Sequence, residues 1–502
     1  MIKTDERRSF AYALVLALLA KYQSIFSFNY SVDDYHQTLH GLGSLSSSLI
    51  GQGRFGLLWL SNAFNAIGYE PGFSPLLSVS LSVFLTVWIG NAILRLWQVD
   101  MPDITRALCI FMIAGHPYTS EIVTFRGIAI YHVIAFAVAF AAMVLTRASV
   151  AGIIVPAFVL SAALSIYQVP IAMIAVFLVV DLVIRSLRRL LEGDGRVSEV
   201  IKDPIVRARI AVAVLGVILY AVWLTISTWG RAPDPRSVPL RVDAIPARIA
   251  RAFELVWQHF VTGEAYANSL VPPLVLAIAW ILVLLAIIVF AVRADSMRRA
   301  LTGSLLIVAG FAVASVAMLG PTLAAKALML PPRVLVQIGV VWAGAATIVV
   351  LVGQQRSMAI ATGLLAVASF SFIAVSQHIF VDQARVNVRD HTVAMLILER
   401  LLELEDFPEV RRIAFIGTRL EEAPMATATR HYGMNHSAYA AHWAIAPMLT
   451  ELSGMRLRSA GAAERERAAE TCSTRPTWPA KEAVFVERQL AIVCLGTGKP
   501  GQ

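Results

Sequence analysis

Two adjacent aspartates, Asp33 and Asp34, directly follow the first apolar stretch of the chain, in the segment SFNYSVDDYHQTLHG at 27–41. A carboxylate in such a position can act as a general base that takes the proton of an acceptor hydroxyl. A pair of carboxylates can also bind a divalent cation. A third interpretation is a helix N-cap, because aspartate is favourable at the positive end of a helix. The spacing alone does not separate these three roles.

Three arginines are candidates for binding a phosphate. Arg54 lies between glycines in GQGRFG, Arg126 closes the segment GHPYTSEIVTFRG, and Arg333 follows MLPP. The planar guanidinium group matches the oxygens of a phosphate with two parallel hydrogen bonds. For Arg54 an ordinary interfacial anchor is the alternative, and for Arg126 the alternative is an ion pair with Glu121.

Further polar side chains are concentrated in two short connections, HPYTSE and SIYQ. Ionisable groups close to hydrocarbon cost about 2–3 kcal/mol each when buried at depth, which argues for a function. The hydroxyl, amide, imidazole and carboxyl groups here can form hydrogen bonds with a sugar. Tyrosine in an interfacial aromatic belt is the alternative for the second connection. The candidate sugar- or acceptor-binding residues are His116, Tyr118, Glu121, Tyr167 and Gln168.

The composition indicates a polytopic membrane protein. Of the 502 residues, 58% are hydrophobic and 15% are charged, and the mean hydropathy is +0.69. A membrane-spanning helix needs about 20 apolar residues, whereas the apolar stretch 55–67 is too short and is predicted to lie in the interface. The eleven predicted spans are 9–26, 74–96, 104–120, 127–146, 150–169, 170–187, 209–229, 271–292, 301–320, 333–353 and 357–376.

Arginine and lysine fix the predicted orientation of these spans, because cytoplasmic loops are enriched in both. With a cytoplasmic N-terminus, every connection on the cytoplasmic side is basic, including the cluster at 185–209. The segment 231–251 is basic and yet falls outside. This orientation places the first loop, both polar connections and the C-terminal part on the outer face of the membrane. The net charge of +9 is therefore explained by the arginines and lysines of the cytoplasmic loops. The expected partner of these residues is membrane lipid, and no nucleic-acid partner is expected.

The C-terminal part has a different character. Residues 377–404 show apolar positions at helical spacing and predict an amphipathic interfacial helix. Residues 405–502 predict a small soluble α/β module on the outer side, with strands at 410–417 and 483–496 and a helix between them. Residues 1–376 form the predicted transmembrane domain.

The sequence contains three cysteines. Cys109 lies in an apolar helix, where a cysteine behaves as a small hydrophobic residue. Cys472 and Cys494 both lie in the polar C-terminal part, where a disulfide is an option if that part is extracytoplasmic. Spacing alone leaves the pairing open.

The order of the motifs resembles that of the bacterial O-antigen glucosyltransferases of the serotype-converting Gtr type. DD, then GR at 53–54, HPYTSE, SIYQ and PPR occur in this order, and the resemblance covers roughly residues 25–400. It implies a GT-C-type membrane glycosyltransferase that takes a hexose, glucose in this family, from a polyprenyl-phosphate carrier. The sugar would be added with inversion to a cell-envelope glycan such as the O-antigen of lipopolysaccharide. The resemblance also implies an acidic base in the first outer loop, which is Asp33 or Asp34 here.

A transporter or flippase of lipid-linked sugars is the alternative function. Such a transporter places polar residues near the midplane, often in two repeated halves. In this sequence the polar residues are concentrated on one face and no repeat is apparent, which favours the enzyme. Nucleotide-binding and zinc-binding motifs are absent from the sequence. No cofactor is firmly implied, although a divalent cation at Asp33 and Asp34 remains an option. The predicted fold is mainly α, a GT-C-like bundle of about eleven spans with a small α/β module.

Overall fold

The fold is described from a computed structural model. It describes residues 4–27, 30–193, 198–230, 241–262, 271–323, 331–418, 420 and 436–496. The first ten residues of the basic segment 231–251, and part of the connection before Arg333, lie outside the described residues.

The chain divides into two compact units, each assembled from segments that are distant in sequence. Unit 1 comprises residues 1–25, 45–123 and 128–377. Unit 2 comprises residues 26–44, 124–127 and 378–502. Unit 2 therefore combines the first part of the first loop, the turn that carries Arg126 and the C-terminal part from residue 378.

Unit 1 is built from helices, as its long apolar segments require, because a helix satisfies its own backbone hydrogen bonds. Among the described residues, seven helices are long and apolar enough to cross a membrane, and three shorter apolar helices accompany them. A helix is found in each of the eleven apolar segments. The helices up to residue 352, of which α2 belongs to unit 2, are α1 (Thr4–Phe26), α2 (Val32–His40), α3 (Ser46–Gly51), α4 (Phe55–Ala66), α5 (Pro75–Trp97), α6 (Asp103–Gly115), α7 (Tyr118–Thr124), α8 (Ala129–Leu145), α9 (Val150–Ile166), α10 (Pro170–Glu192), α11 (Ser198–Lys202), α12 (Pro204–Ser227), α13 (Ile245–Trp257), α14 (Pro273–Arg293), α15 (Met297–Ala317) and α16 (Ile338–Val352).

Two predicted spans differ from the helices found. The segment 104–120 is interrupted, because α6 ends at Gly115 and α7 begins only after Pro117. Proline has no backbone N–H and disfavours helix in the residue before it, here His116. The segment 333–353 becomes helical only from Ile338. In both places the chain leaves the helix where polar candidate residues occur.

Close helix packing in unit 1 depends on a glycine in α16. A Cβ on Gly339 would lie 2.4 Å from the carbonyl oxygen of Met112 in α6. Such an approach excludes any side chain at position 339, so the backbones of α6 and α16 can pack together only with glycine here. Trp342, one turn further along α16, is completely buried.

The unit boundary falls inside a single helix, α17 (Gln355–Leu402). The predicted amphipathic helix 377–404 is the C-terminal part of this 48-residue helix and has no separate start. No proline occurs in α17, and its one glycine, Gly363, lies near the start. No helix-breaking residue therefore interrupts the helix between Gly363 and Leu402.

The C-terminal part of unit 2 contains a four-stranded sheet with the strand order β2-β1-β4-β3. Strands β1 and β2 are parallel, β1 and β4 are parallel, and β3 and β4 are antiparallel. Both predicted strand segments are confirmed, and the second is split into a hairpin by Arg488 and Gln489, which adopt positive φ. The elements are β1 (Arg412–Gly417), α18 (His442–Ser453), β2 (Arg458–Ser459), α19 (Ala462–Cys472), β3 (Val484–Glu487) and β4 (Leu490–Gly496).

Cys472 and Cys494 form a disulfide with a Cα–Cα distance of 5.4 Å. It joins the end of α19 to the buried strand β4. The disulfide closes a loop that contains β3 and most of β4, within the α/β module at the C-terminal end of unit 2.

Candidate functional site

The carboxylate of Asp34, at the start of α2, accepts hydrogen bonds at both of its oxygens. Its side chain is 1% exposed, and Oδ2 accepts hydrogen bonds from both the backbone N–H and the hydroxyl of Ser31, each at 2.8 Å. The turn after α7 supplies two more, from the N–H of Arg126 to Oδ2 at 3.2 Å and from the N–H of Gly127 to Oδ1 at 2.8 Å. Burial raises the pKa of Asp34 to about 6, while the hydrogen bonds from Gly127 and Ser31 act against that rise. At neutral pH the carboxylate is ionised and holds two chain segments together.

Asp33 has a different environment, because adjacent helical residues point about 100° apart. Its side chain is half-buried, and its Oδ1 accepts a hydrogen bond from the indole N–H of Trp443 at 3.2 Å. Of the two aspartates, Asp33 is therefore the more exposed, and Asp34 is the one that takes part in capping α2.

Arg126 is tied to the same part of unit 2. Its guanidinium group donates to the carbonyl oxygen of Ser27 at 2.5 Å and lies over the ring of Tyr30, 5.8 Å from the ring centre. Glu121, the partner considered for Arg126 from the sequence, pairs with Arg333. Burial lowers the pKa of Arg126, which the carboxylate of Asp34 opposes.

Polar residues of α17 anchor the first loop and the C-terminal module to the same helix. Asn387 exchanges two hydrogen bonds with the backbone of Tyr30, at 2.8 and 3.0 Å, and His391 pairs with the hydroxyl of Tyr35 at 2.9 Å. The carboxylate of Asp390 accepts hydrogen bonds from the Ser437 hydroxyl and from the backbone N–H of Ala438. These contacts fix α2, and hence Asp33, on a rigid support.

In unit 1, Glu121 and Arg333 form a buried ion pair. The carboxylate of Glu121 is completely buried and accepts hydrogen bonds from both the backbone N–H and the guanidinium group of Arg333. Burial raises the pKa of Glu121, and Arg333 opposes that rise. The Pro331–Pro332 sequence fixes the turn that presents Arg333.

Tyr167 is at the centre of a second polar group in unit 1. The ring of His132 stacks on it with 4.0 Å between ring centres, and the guanidinium group of Arg54 lies 5.2 Å from the centre of the tyrosine ring. The Tyr167 hydroxyl and both ring nitrogens of His132 are buried and have no hydrogen-bond partner among the described residues. Buried polar groups normally have partners, so these atoms are available to a ligand or to water.

Gln168 forms hydrogen bonds next to Arg54. Gln168 donates to the carbonyl oxygen of Gln52 at 3.0 Å and to the hydroxyl of Tyr220 at 2.8 Å, beside the turn that carries Arg54. Its amide therefore positions that turn.

His116 lies edge-on against Tyr118, with 4.7 Å between ring centres. Tyr118 in turn pairs with Nδ1 of His259 at 2.7 Å. Burial lowers the pKa of His259 to about 4, so this imidazole is neutral at physiological pH.

The paired aspartates do not fit a cation site. Both oxygens of Asp34 accept hydrogen bonds from N–H or O–H donors, which leaves Asp33 as a single ligand. Within the described ranges, no group of three or more His, Cys, Asp and Glu side chains is arranged to hold a metal ion.

Sequence reasoning missed His132 and Trp443. A single ionisable residue in the apolar helix α8 was the available signal for His132. Trp443 carries no motif, and only the packing of α18 against α2 brings it to Asp33.

The long apolar helices of unit 1 are consistent with a membrane protein. The family described as Glucosyl transferase GtrII matches residues 22–351, more than half of the chain, and the chain belongs to this family. The matched range includes all the candidate residues named from the sequence and ends before the C-terminal module. No curated protein and no solved structure matches the chain significantly.

Proposed function

We propose that this glucosyltransferase transfers glucose from a polyprenyl-phosphate carrier to a cell-envelope glycan such as O-antigen, with inversion, on the periplasmic face of the inner membrane. The observation that carries the proposal is the accessible carboxylate of Asp33 beside the saturated carboxylate of Asp34, inside the range matched by the GtrII family. A flippase would have no use for such a base.

In the proposed reaction Asp33 takes the proton of an acceptor hydroxyl. The acceptor oxygen forms a bond to the anomeric carbon of glucose, and the bond from that carbon to the phosphate oxygen breaks. The electron pair of that bond leaves with the polyprenyl phosphate. Attack from the face opposite the phosphate inverts the anomeric centre, and no covalent sugar–enzyme intermediate is formed.

Arg54 and Arg333 are the proposed contacts of the donor phosphate. Their positive charges would stabilise the negative charge that develops on the leaving phosphate. The unpartnered groups of Tyr167 and His132 suit the hydroxyl groups of the donor sugar. For Arg126 we propose a role in holding the turn that donates to Asp34, with its own charge a further candidate for the phosphate.

The periplasmic placement has two supports. The basic residues follow the positive-inside pattern with a cytoplasmic N-terminus and a periplasmic C-terminus. The Cys472–Cys494 disulfide is typical of an oxidising compartment. A reporter fused after residue 400 should therefore behave as periplasmic, and one fused within 188–206 as cytoplasmic. A cytoplasmic signal from the C-terminal fusion would remove the lipid-donor argument.

The activity is tested with the purified full chain in lipid nanodiscs. Polyprenyl-phosphate glucose and UDP-glucose are offered separately, together with polysaccharide released from the host's lipopolysaccharide by mild acid. Transfer from the lipid donor alone, with the opposite anomeric configuration in the product by NMR, is the expected result. Transfer from UDP-glucose, or retention of configuration, would contradict the proposal.

A further inference from the structure

Trp443 combines exposure with a direct contact to the proposed base. It lies in the first turn of α18 and is 44% exposed. Its indole N–H donates to Oδ1 of Asp33 at 3.2 Å. The ring therefore leaves part of its surface free while its polar edge is fixed on the carboxylate.

The position of Trp443 is rigidly determined. Ala444 and Ile445, the next two residues of α18, are buried in the core of unit 2 together with Tyr35 of α2. The preceding residue, His442, accepts a hydrogen bond from Ser459 of β2 at 3.0 Å through its carbonyl oxygen. Its imidazole packs edge-on against the indole, with 5.2 Å between ring centres.

Folding does not account for the exposure of this ring. In the part of unit 2 that the structure describes, the exposed side chains among Phe, Tyr and Trp are Phe26 and Trp443. Phe26 is the last residue of the apolar helix α1, whereas Trp443 belongs to the small α/β module. Burial of the whole indole ring would stabilise the folded protein more than this partly exposed position does.

An aromatic face beside a carboxylate has the chemistry of a carbohydrate subsite. The C–H face of a sugar ring packs on an indole, and its hydroxyl groups form hydrogen bonds with the carboxylate. Asp33 alone could activate a hydroxyl of any bound molecule. Trp443 adds a flat surface that selects a sugar and sets its distance from the base.

We propose that Trp443 is the platform for the acceptor glycan, on which one acceptor sugar stacks with its reacting hydroxyl toward Asp33. The inference rests on the proposed function and deepens it by assigning acceptor recognition to the C-terminal module. That module lies outside the range that the GtrII family matches. Chains of this family could thus share the transfer chemistry while differing in the acceptor.

Two variants separate the ring from its N–H group. Trp443→Leu removes both, and Trp443→Phe keeps an aromatic face but loses the hydrogen bond to Asp33. Trp229→Leu is the control, because Trp229 is 83% exposed and belongs to unit 1. All variants are purified as the full chain, and the Cys472–Cys494 disulfide and the thermal unfolding temperature are checked.

Binding of the mild-acid polysaccharide from the host's lipopolysaccharide is measured without donor, and the KM for this acceptor and for polyprenyl-phosphate glucose is measured in the transfer assay. Trp443→Leu should weaken polysaccharide binding and raise the acceptor KM about tenfold, the effect of truncating an anchoring tryptophan. The donor KM should stay within twofold. Trp443→Phe should retain most of the binding and lower kcat, and Trp229→Leu should match the wild type.

Polysaccharide binding that is unchanged in Trp443→Leu would overturn the inference and leave Trp443 as a membrane-interface anchor or a surface residue. A wild type that binds through Trp443 but transfers no glucose would contradict the proposed function alone. The binding measurement therefore decides the two questions separately.

Discussion

The backbone N–H of Gly127 donates a hydrogen bond of 2.8 Å to Oδ1 of Asp34. This contact joins the turn after α7 to the start of α2, two segments that are more than ninety residues apart in sequence. A Cβ on Gly127 would lie 2.4 Å from Oε1 of Gln37 and 3.4 Å from the Asp34 carboxylate. A side chain at position 127 would require the end of Gln37 to move, whereas the Asp34 carboxylate lies at ordinary contact distance. The approach of the two segments therefore depends mainly on the carboxylate in the helix.

Asp34→Asn should destabilise the protein by about 1–3 kcal/mol, because its NH₂ group cannot accept from the N–H donors that both carboxylate oxygens now serve. Thermal unfolding of the purified chain, followed by tryptophan fluorescence, measures this effect. Asp33→Asn is the matched control and should unfold near the wild-type temperature. Equal unfolding temperatures for Asp34→Asn and the wild type would show that the capping contacts contribute little.

His259 should make unit 1 less stable in mild acid. Its pKa is lowered from 6.5 to about 4 by burial, so the unfolded chain binds more protons between these values. Stability therefore falls as the pH decreases through this window, by roughly 2–3 kcal/mol in total. His259→Gln keeps an acceptor for the Tyr118 hydroxyl and should flatten the dependence of the unfolding temperature between pH 6.5 and 4. An unchanged slope in this variant would assign the dependence to other groups.

Variants of the Glu121–Arg333 pair should distinguish its contribution to protein stability from a contribution of Arg333 to donor binding. Arg333→Ala leaves the buried carboxylate uncompensated and should cost about 3–5 kcal/mol. The double variant Glu121→Gln/Arg333→Gln removes both charges and should recover most of that loss. If Arg333 binds the donor phosphate, the double variant keeps a raised KM for polyprenyl-phosphate glucose. A wild-type donor KM in the recovered protein would move the phosphate site elsewhere.

The disulfide should stabilise the C-terminal module. Cys472 and Cys494 are separated by 22 residues, and closing a loop of this size reduces the entropy of the unfolded chain by the equivalent of about 3 kcal/mol. Cys472→Ser/Cys494→Ser should therefore lower the unfolding temperature, and treatment of the wild type with a reductant should lower it similarly. The single variant Cys109→Ser is the control for loss of a thiol. A reductant without effect would contradict a bonded pair.

The sequence was sufficient for the helical architecture, because apolar runs can satisfy their backbone only as helices in a membrane. It also located the strands of the C-terminal module from their apolar runs. The break after Gly115 was missed, since the apolar character continues across His116 and Pro117 while the helix does not. The continuous helix through residue 377 was missed because the change from apolar to amphipathic character was interpreted as a boundary.

Pairings between distant side chains were beyond sequence reasoning. Arg126 is near Glu121 in sequence, yet Glu121 pairs with Arg333, 212 residues away. The pattern could indicate that one aspartate of the pair is a cap, but not which one. That distinction depends on the N–H groups of Arg126 and Gly127 and on Trp443, whose positions only the folded chain defines.

The central claim is that Asp33 is the base and Asp34 its capping neighbour. It is tested most directly by the rate of glucose transfer from polyprenyl-phosphate glucose to the polysaccharide acceptor by purified Asp33→Asn and Asp34→Asn. Asparagine keeps the shape of aspartate but cannot take the proton. Asp33→Asn should therefore unfold like the wild type while losing roughly 10²–10⁴ in rate. Asp34→Asn, assayed below its unfolding temperature, should keep most of its activity. A well-folded and fully active Asp33→Asn would contradict the account and move the base to another residue.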